Sequence, residues 1–157
     1  VEPGKIQESL SNFRNMAGRQ EIYEKEGYTI ISDCYNAGPE SMAAALKVLG
    51  RQSGRKIAVL GDMLELGTCT TAEHYKVGRL AAEQADHLLA FGPNGNRMVK
   101  GAMTGGMGSC AARSFTDRQM LVLELKRLAR PGDVILFKGS RGMHMELALE
   151  LFFKDER

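Results

Sequence analysis

One pattern recurs along this chain and limits what it can fold into. A short apolar run, rich in β-branched residues, ends in a polar loop that usually holds glycine, and an amphipathic helical stretch follows. The runs are residues 29–32 (TIIS), 56–60 (KIAVL), 87–91 (HLLAF) and 133–137 (DVILF), with a weaker one near 112–115. Such runs read as strands buried on both faces. The helical stretches cover about 39–50, 71–85, 94–103, 117–129 and 142–153. Met42, Leu46 and Leu49 share one face of the first, and Leu121, Leu125 and Leu128 share one face of the fourth. Strands alternating with helices require right-handed crossovers, hence a parallel sheet covered on both sides. The expectation is an α/β fold: a doubly wound, mostly parallel sheet of about five or six strands flanked by helices, Rossmann-like in class.

Ahead of this repeat, Ile6, Leu10 and Phe13 predict a short helix over 5–16, and alternation over 19–25 predicts a further strand before a turn at Gly27. Thr70 with Glu73, and Thr116 with Gln119, have capping-box spacing. The four prolines fall at element starts or turns. The glycine-rich stretch 101–108 (GAMTGGMG) reads as a mobile loop, and the nine methionines read as core filler.

With 157 residues the chain fits one domain, and it is large enough to bury a core without staples. Lys plus Arg is 21 against 19 for Asp plus Glu, so no basic stripe exists for nucleic acid, and the absence of Trp disfavours a base-stacking groove. No apolar run approaches the roughly 18 residues of a membrane span, and no signal peptide opens the chain. Three separated cysteines without a CxxC predict neither disulfides nor a zinc site, and point to a cytoplasmic protein with reduced thiols. An opening Val1-Glu2, rather than Met, predicts a piece of something longer.

In an open α/β sheet, ligands bind beyond the carboxyl ends of the strands. Asp33 follows a strand directly, where a carboxylate can accept ribose hydroxyls. Asp33 or Asn36 can equally cap the helix that starts near Pro39. Lys138-Gly139-Ser140-Arg141 opens the last helix, a setting that suits a carboxylate or phosphate, or else a tight turn with solvated charges. Asp62 and Glu65 can hold an ammonium group or cap a helix. There is no GxxxxGK[ST] and no GxGxxG, so the phosphate-gripping loop and the dinucleotide fingerprint are both missing. His74, His87 and His144 lack metal-ligand spacing, and His74 and His87 are expected on or beside element surfaces.

Three segments carry a resemblance. Residues 33–45 (DCYNAGPESMAAA) are similar to a DxYNANPxSM pattern followed by an Ala-rich helix, 59–67 (VLGDMLELG) to VLGDMxELG, and 135–146 (ILFKGSRGMHME) to VLxKGSRGMxME. His74 and Gly78 follow the second segment at the usual distance. In this order the segments resemble the C-terminal domain of the Mur ligases, within them the branch that adds D-alanyl-D-alanine to UDP-MurNAc-tripeptide. One departure is Gly38, which stands where the pattern has its second asparagine.

The resemblance implies a three-domain, ATP-dependent enzyme of bacterial peptidoglycan synthesis. An N-terminal domain would hold the UDP-sugar peptide, and a central domain would carry the P-loop, Mg2+ and the catalytic lysine. Residues 1–18 would be the tail of that central domain and hinge, and 19–157 the C-terminal domain. ATP would phosphorylate the tripeptide carboxylate, and the amine of D-alanyl-D-alanine would attack the acyl phosphate. Here Arg19 would reach the phosphates, Asp33 the ribose and Asn36 the nucleotide, while Lys138, Ser140 and Arg141 would face the dipeptide or the closing cleft. No catalytic residue and no metal ligand is expected within this chain. The alternatives are a related ligase with another amine acceptor, or a non-catalytic nucleotide- or partner-binding module.

Overall fold

A computed structural model describes residues 20–154. The helix predicted over 5–16, Arg19 and the boundary at residue 18 lie outside the described residues. The elements run β1 Glu21–Lys25, β2 Tyr28–Asp33, α1 Pro39–Gly50, β3 Lys56–Gly61, α2 Thr70–Gln84, β4 His87–Phe91, α3 Gly95–Thr104, β5 Ala112–Phe115, α4 Arg118–Leu128, β6 Val134–Lys138 and α5 Met145–Phe153. Every strand and helix expected within 20–154 forms, with its ends shifted by three residues at most.

The six strands make one sheet in the order β1-β2-β6-β3-β4-β5. β1 and β2 pair antiparallel through a turn in which Glu26 and Gly27 have φ of 53° and 90°. Two successive positive φ values match the twist of a two-residue hairpin, and glycine takes the second at no steric cost. All other pairings are parallel.

From β2 through β3 and β4 to β5 the chain advances in one direction across the sheet, then returns from β5 to β6. Right-handed crossovers therefore place α1, α2 and α3 on one face and α4 on the other. Two apolar clusters match this split. One joins Met42, Leu46 and Leu49 of α1, Val77 and Ala81 of α2 and Met98 of α3 to Ile31, Ala58, Leu60, Leu88 and Leu136. The other joins Leu121 and Leu125 of α4 and Met145, Ala148 and Phe152 of α5 to Ile30, Ile57, Val59, Leu89, Ile135 and Phe137. Neighbours such as Ile30 and Ile31 go to opposite clusters, as the two-residue strand period demands.

Some local expectations are corrected. The stretch 101–108 is not a free loop, because Gly101–Thr104 complete α3. A Cβ on Gly101 would lie 2.0 Å from the Tyr75 carbonyl oxygen, and one on Gly78 would lie 1.9 Å from that of Met98. The two helices thus approach through glycine in both directions, which glycine counting alone reads as looseness. The capping boxes also fail. Thr70 Oγ1 donates to the Gly67 carbonyl at 2.7 Å instead of accepting at the helix start. At α4 the cap is Asp117, whose Oδ1 accepts from the amides of Gln119 at 2.8 Å and Met120 at 3.4 Å.

Candidate functional site

β6 lies between β2 and β3, yet its chain leaves for the opposite face. β2 and β3 lead to α1 and α2, whereas β6 leads to α5. The loops after these three strands must part, and the gap at the parting is the crevice where doubly wound sheets bind ligands. The polar segments after residues 33, 61 and 138 meet there.

Register brings the first pair together, since Asp33 of β2 lies opposite Lys138 of β6. The strand period puts both on the face of α1, along with Ile31 and Leu136. Lys138 is 1% exposed. Its Nζ sits 3.0 Å from Asp33 Oδ1 and donates to the Asn36 carbonyl oxygen at 2.8 Å. A buried ammonium needs such partners, because leaving it bare costs several kcal/mol. Asp33 Oδ2 meets no donor among the described residues. Asp33 does not cap α1, and neither does Asn36, because the helix begins at Pro39 with Gly38 as its cap. Ser41 Oγ accepts from the Gly38 amide at 2.9 Å instead. A Cβ on Gly38 would meet nothing within 4 Å, so glycine here leaves an open cap rather than a tight turn.

Ser140 fastens three loops. Its amide donates to the Asp62 carbonyl oxygen at 3.0 Å. Its Oγ accepts from the Leu64 amide at 2.7 Å and donates to the Ala37 carbonyl oxygen at 3.4 Å. Asp62 is buried, and its carboxylate accepts from Asn94, through the backbone amide at 3.1 and 3.2 Å and the side-chain amide at 2.8 Å. It therefore steadies the start of α3 from the neighbouring loop. Glu65 stays exposed, with φ of 64°.

His74 corrects a surface expectation, since it is wholly buried. Nε2 accepts from the Met63 amide at 2.9 Å and Nδ1 lies 2.7 Å from the Thr70 carbonyl oxygen. Those partners require a neutral ring with its proton on Nδ1. Asp62, Met63 and Leu64 are thus each held by a different side chain. His87 is half-buried at the other end of the sheet.

Arg141 and Tyr35 form the exposed rim. The guanidinium carbon lies 4.8 Å from the Tyr35 ring centroid, and Nη1 donates to Tyr35 Oη at 3.4 Å. A cation held over a ring in this way keeps its remaining N–H groups for a carboxylate. The role of Tyr35 escapes sequence reasoning, although its signal exists: it stands two residues past Asp33, as Arg141 stands three past Lys138, on adjacent strands in register.

Of the residues singled out by sequence, Asp33, Asn36, Lys138, Ser140 and Arg141 converge at this crevice, while Arg19 lies outside the described residues. Among the described residues no group of three His, Cys, Asp or Glu is placed to hold a metal ion. No helix among them is long and apolar enough to cross a membrane. A separate open groove of about 630 Å3 runs along β1 and α5, lined by Tyr23, Leu147 and Phe153 among others, and none of the crevice residues borders it.

Residues 18–141 match the family model described as Mur ligase, glutamate ligase domain. A protein of Bacillus subtilis named UDP-N-acetylmuramoyl-tripeptide--D-alanyl-D-alanine ligase is 33% identical over 150 residues, covering 93% of this chain and 33% of the relative. Among solved structures, a MurF ligase from Thermotoga maritima in complex with ADP superposes with a TM-score of 0.74 at 31% identity, over 86% of this chain and 30% of that one. A MurF from Acinetobacter baumannii gives 0.78 at 36% identity, over 86% and 30%. The chain spans about a third of the length of the relatives it matches.

Proposed function

The chain belongs to the Mur ligase family, and from that premise we propose that it is the C-terminal domain of an ATP-dependent amide ligase that adds D-alanyl-D-alanine to UDP-MurNAc-tripeptide in the bacterial cytoplasm. The observation that supports this reading most directly is the meeting of Asp33, Lys138, Ser140 and Arg141 at one crevice, from segments far apart in sequence. In the whole ligase, two upstream domains hold the UDP-sugar peptide and grip the phosphates. Residues 1–18 belong to the tail of the central domain and the hinge, and Arg19 reaches the phosphates just past it.

The described residues do not fit a metal, so Mg2+ falls to the upstream domains, and no step here runs through it. Asp33 accepts a ribose hydroxyl through Oδ2, with Asn36 beside the nucleotide. Arg141, held over Tyr35, offers its remaining N–H groups to the carboxylate of the incoming dipeptide. Ser140 holds the rim of the same cleft in shape, with Lys138 enclosed behind it. Closure of this domain over the central one keeps water from the activated tripeptide carboxylate.

The test is ADP release by the whole ligase with D-alanyl-D-alanine as acceptor. Arg141→Ala raises the KM for the dipeptide on the order of tenfold, about 1.4 kcal/mol of binding, and leaves the KM for ATP near its original value. This chain alone gives no turnover. Activity restricted to acceptors other than a dipeptide overturns the assignment, and an unchanged dipeptide KM in Arg141→Ala removes Arg141 from the site.

A further inference from the structure

Lys138 is a cation at a ligand crevice, and sequence reasoning sends such a residue to the ligand. The geometry sends it inward. Its side chain is 2% exposed, and its Nζ is taken up by Asp33 Oδ1 at 3.0 Å and by the Asn36 carbonyl oxygen at 2.8 Å. A group so enclosed has no edge left for a substrate. What it does have is a grip on both residues assigned to the nucleotide. One is a strand-end carboxylate, and the other is the backbone of the loop three residues on.

We infer that Lys138 is a positioning residue for nucleotide recognition: it locks Oδ1 of Asp33 and the Asn36 carbonyl, and so turns Oδ2 outward as the oxygen that reads the ribose. This rests on the proposed contact between Asp33 and ribose. Two details make the lock specific. Asp33 has no second donor among the described residues, so without Lys138 its carboxylate is free to rotate. The loop from Cys34 to Gly38 is short, so one carbonyl bond near its middle fixes how Asn36 stands above the strand end. An ion pair that served only the fold would have no reason to leave one carboxylate oxygen without a donor among the described residues at the strand end.

The experiment compares ATP with 2′,3′-dideoxy-ATP in the whole ligase. The ratio of the two kcat/KM values measures how strongly the ribose hydroxyls are read. The original enzyme prefers ATP by at least about tenfold, as a site built around a hydroxyl does. Asp33→Asn keeps an acceptor for Lys138 but replaces the outward oxygen or its charge, and the ratio falls close to one. Lys138→Met lowers the ratio about fivefold and raises the KM for ATP, while kcat at saturating ATP stays within about twofold. In the Asp33→Asn background, Lys138→Met has no further effect on the ratio. Lys138→Gln carries the same expectation and serves if the Met variant does not fold.

A merely structural lysine lowers activity with both nucleotides together and leaves the ratio intact, and that result overturns the inference. If Asp33→Asn lowers the ratio and neither Lys138 variant does, Asp33 keeps its role and Lys138 loses its own. If Asp33→Asn leaves the ratio unchanged, the ribose contact itself is wrong, and this inference falls with it.

Discussion

β6 carries a buried charge at each end, and the two ends behave differently. At the amino end, Asp133 precedes the strand and is 4% exposed. Arg55 Nε donates to its Oδ1 at 3.2 Å and Nη2 to its Oδ2 at 2.9 Å, while the Arg130 amide reaches Oδ2 at 2.9 Å. Arg55 Nη2 also donates to the Leu128 carbonyl oxygen at 2.6 Å, which ties the end of α4 to the same knot. Every oxygen is used. At the carboxyl end, Lys138 occupies one oxygen of Asp33 and the other has no donor among the described residues. A charge pair closed on itself stabilises a fold, whereas one left half open is available to a ligand. On the proposed reading, the sheet keeps a structural ion pair and a ligand-positioning ion pair on one strand, about five residues apart.

The sharpest way to break this contrast is to remove one partner at each end. Asp133→Ala leaves Arg55 without its carboxylate and the Arg130 amide without its acceptor. Breaking a buried pair costs several kcal/mol, discounted here because Arg55 is partly exposed, so urea denaturation of the chain should report a loss of about 2–4 kcal/mol. Lys138→Met leaves the Asp33 carboxylate, whose side chain is 15% exposed, without its cation. Its cost should be of the same size, about 2–4 kcal/mol, but it should also raise the KM for ATP in the whole ligase, which Asp133→Ala should leave near its original value. A KM for ATP that moves equally in both variants would dissolve the distinction between the two ends.

The order of elements was legible because buried parallel strands and amphipathic helices have different periods, and the chain alternates them cleanly. The residues of the crevice were legible as types in loops, by the rule that ligands gather beyond strand ends. Their partners were not. Lys138 looks like a surface cation from sequence, and only register with Asp33 on the neighbouring strand turns it inward. His74 looks like a helix-surface residue, and only the close return of the β3 loop gives its Nε2 an amide to accept from. Gly101 reads as part of a loose glycine-rich stretch, yet with Gly78 it marks where two helices touch backbone to backbone. In each case the missing information is contact between elements distant in sequence, which no local pattern contains.

The two ends also titrate from opposite sides. Cys34, beneath the carboxyl-end loops, is buried and donates to the Phe137 carbonyl oxygen at 3.6 Å. Burial pushes its thiol from 9.0 up to about 11, opposed by a hydrogen bond from Ser32. A raised folded value means the native state holds the proton longer than the unfolded chain. The corresponding stability is full below about pH 9 and is lost as pH rises through about 11, in total about 2–3 kcal/mol. Cys34→Ala should flatten this alkaline limb of the stability curve. Cys69 and Cys110 are exposed. An aromatic disulfide reagent at pH 8 should therefore titrate two thiols quickly and the third slowly. Three thiols reacting at one rate would mean that the carboxyl-end loops open freely, against the fastening by Ser140 and His74.

The smallest effect belongs to the amino end and has the opposite sign. His87 begins β4, and its Nδ1 is buried with no hydrogen-bond partner among the described residues. Burial is the main cause that lowers its pKa from 6.5, and the Arg55 cation adds to it, while Asp86 and Asp133 pull the other way. A lowered folded value means the unfolded chain binds the proton first. The contribution is complete above about pH 6.5 and is lost as pH falls through the folded value. His87→Gln removes the titration, so the midpoint of urea denaturation should fall less steeply as pH drops below about 6.5 than in the original chain. Cys34→Ala should leave that acid limb untouched, because its proton does not move in this range. If His87→Gln keeps the full acid slope, the sensitivity lies elsewhere, and the amino end loses its claim to be the acid-sensitive edge of the sheet.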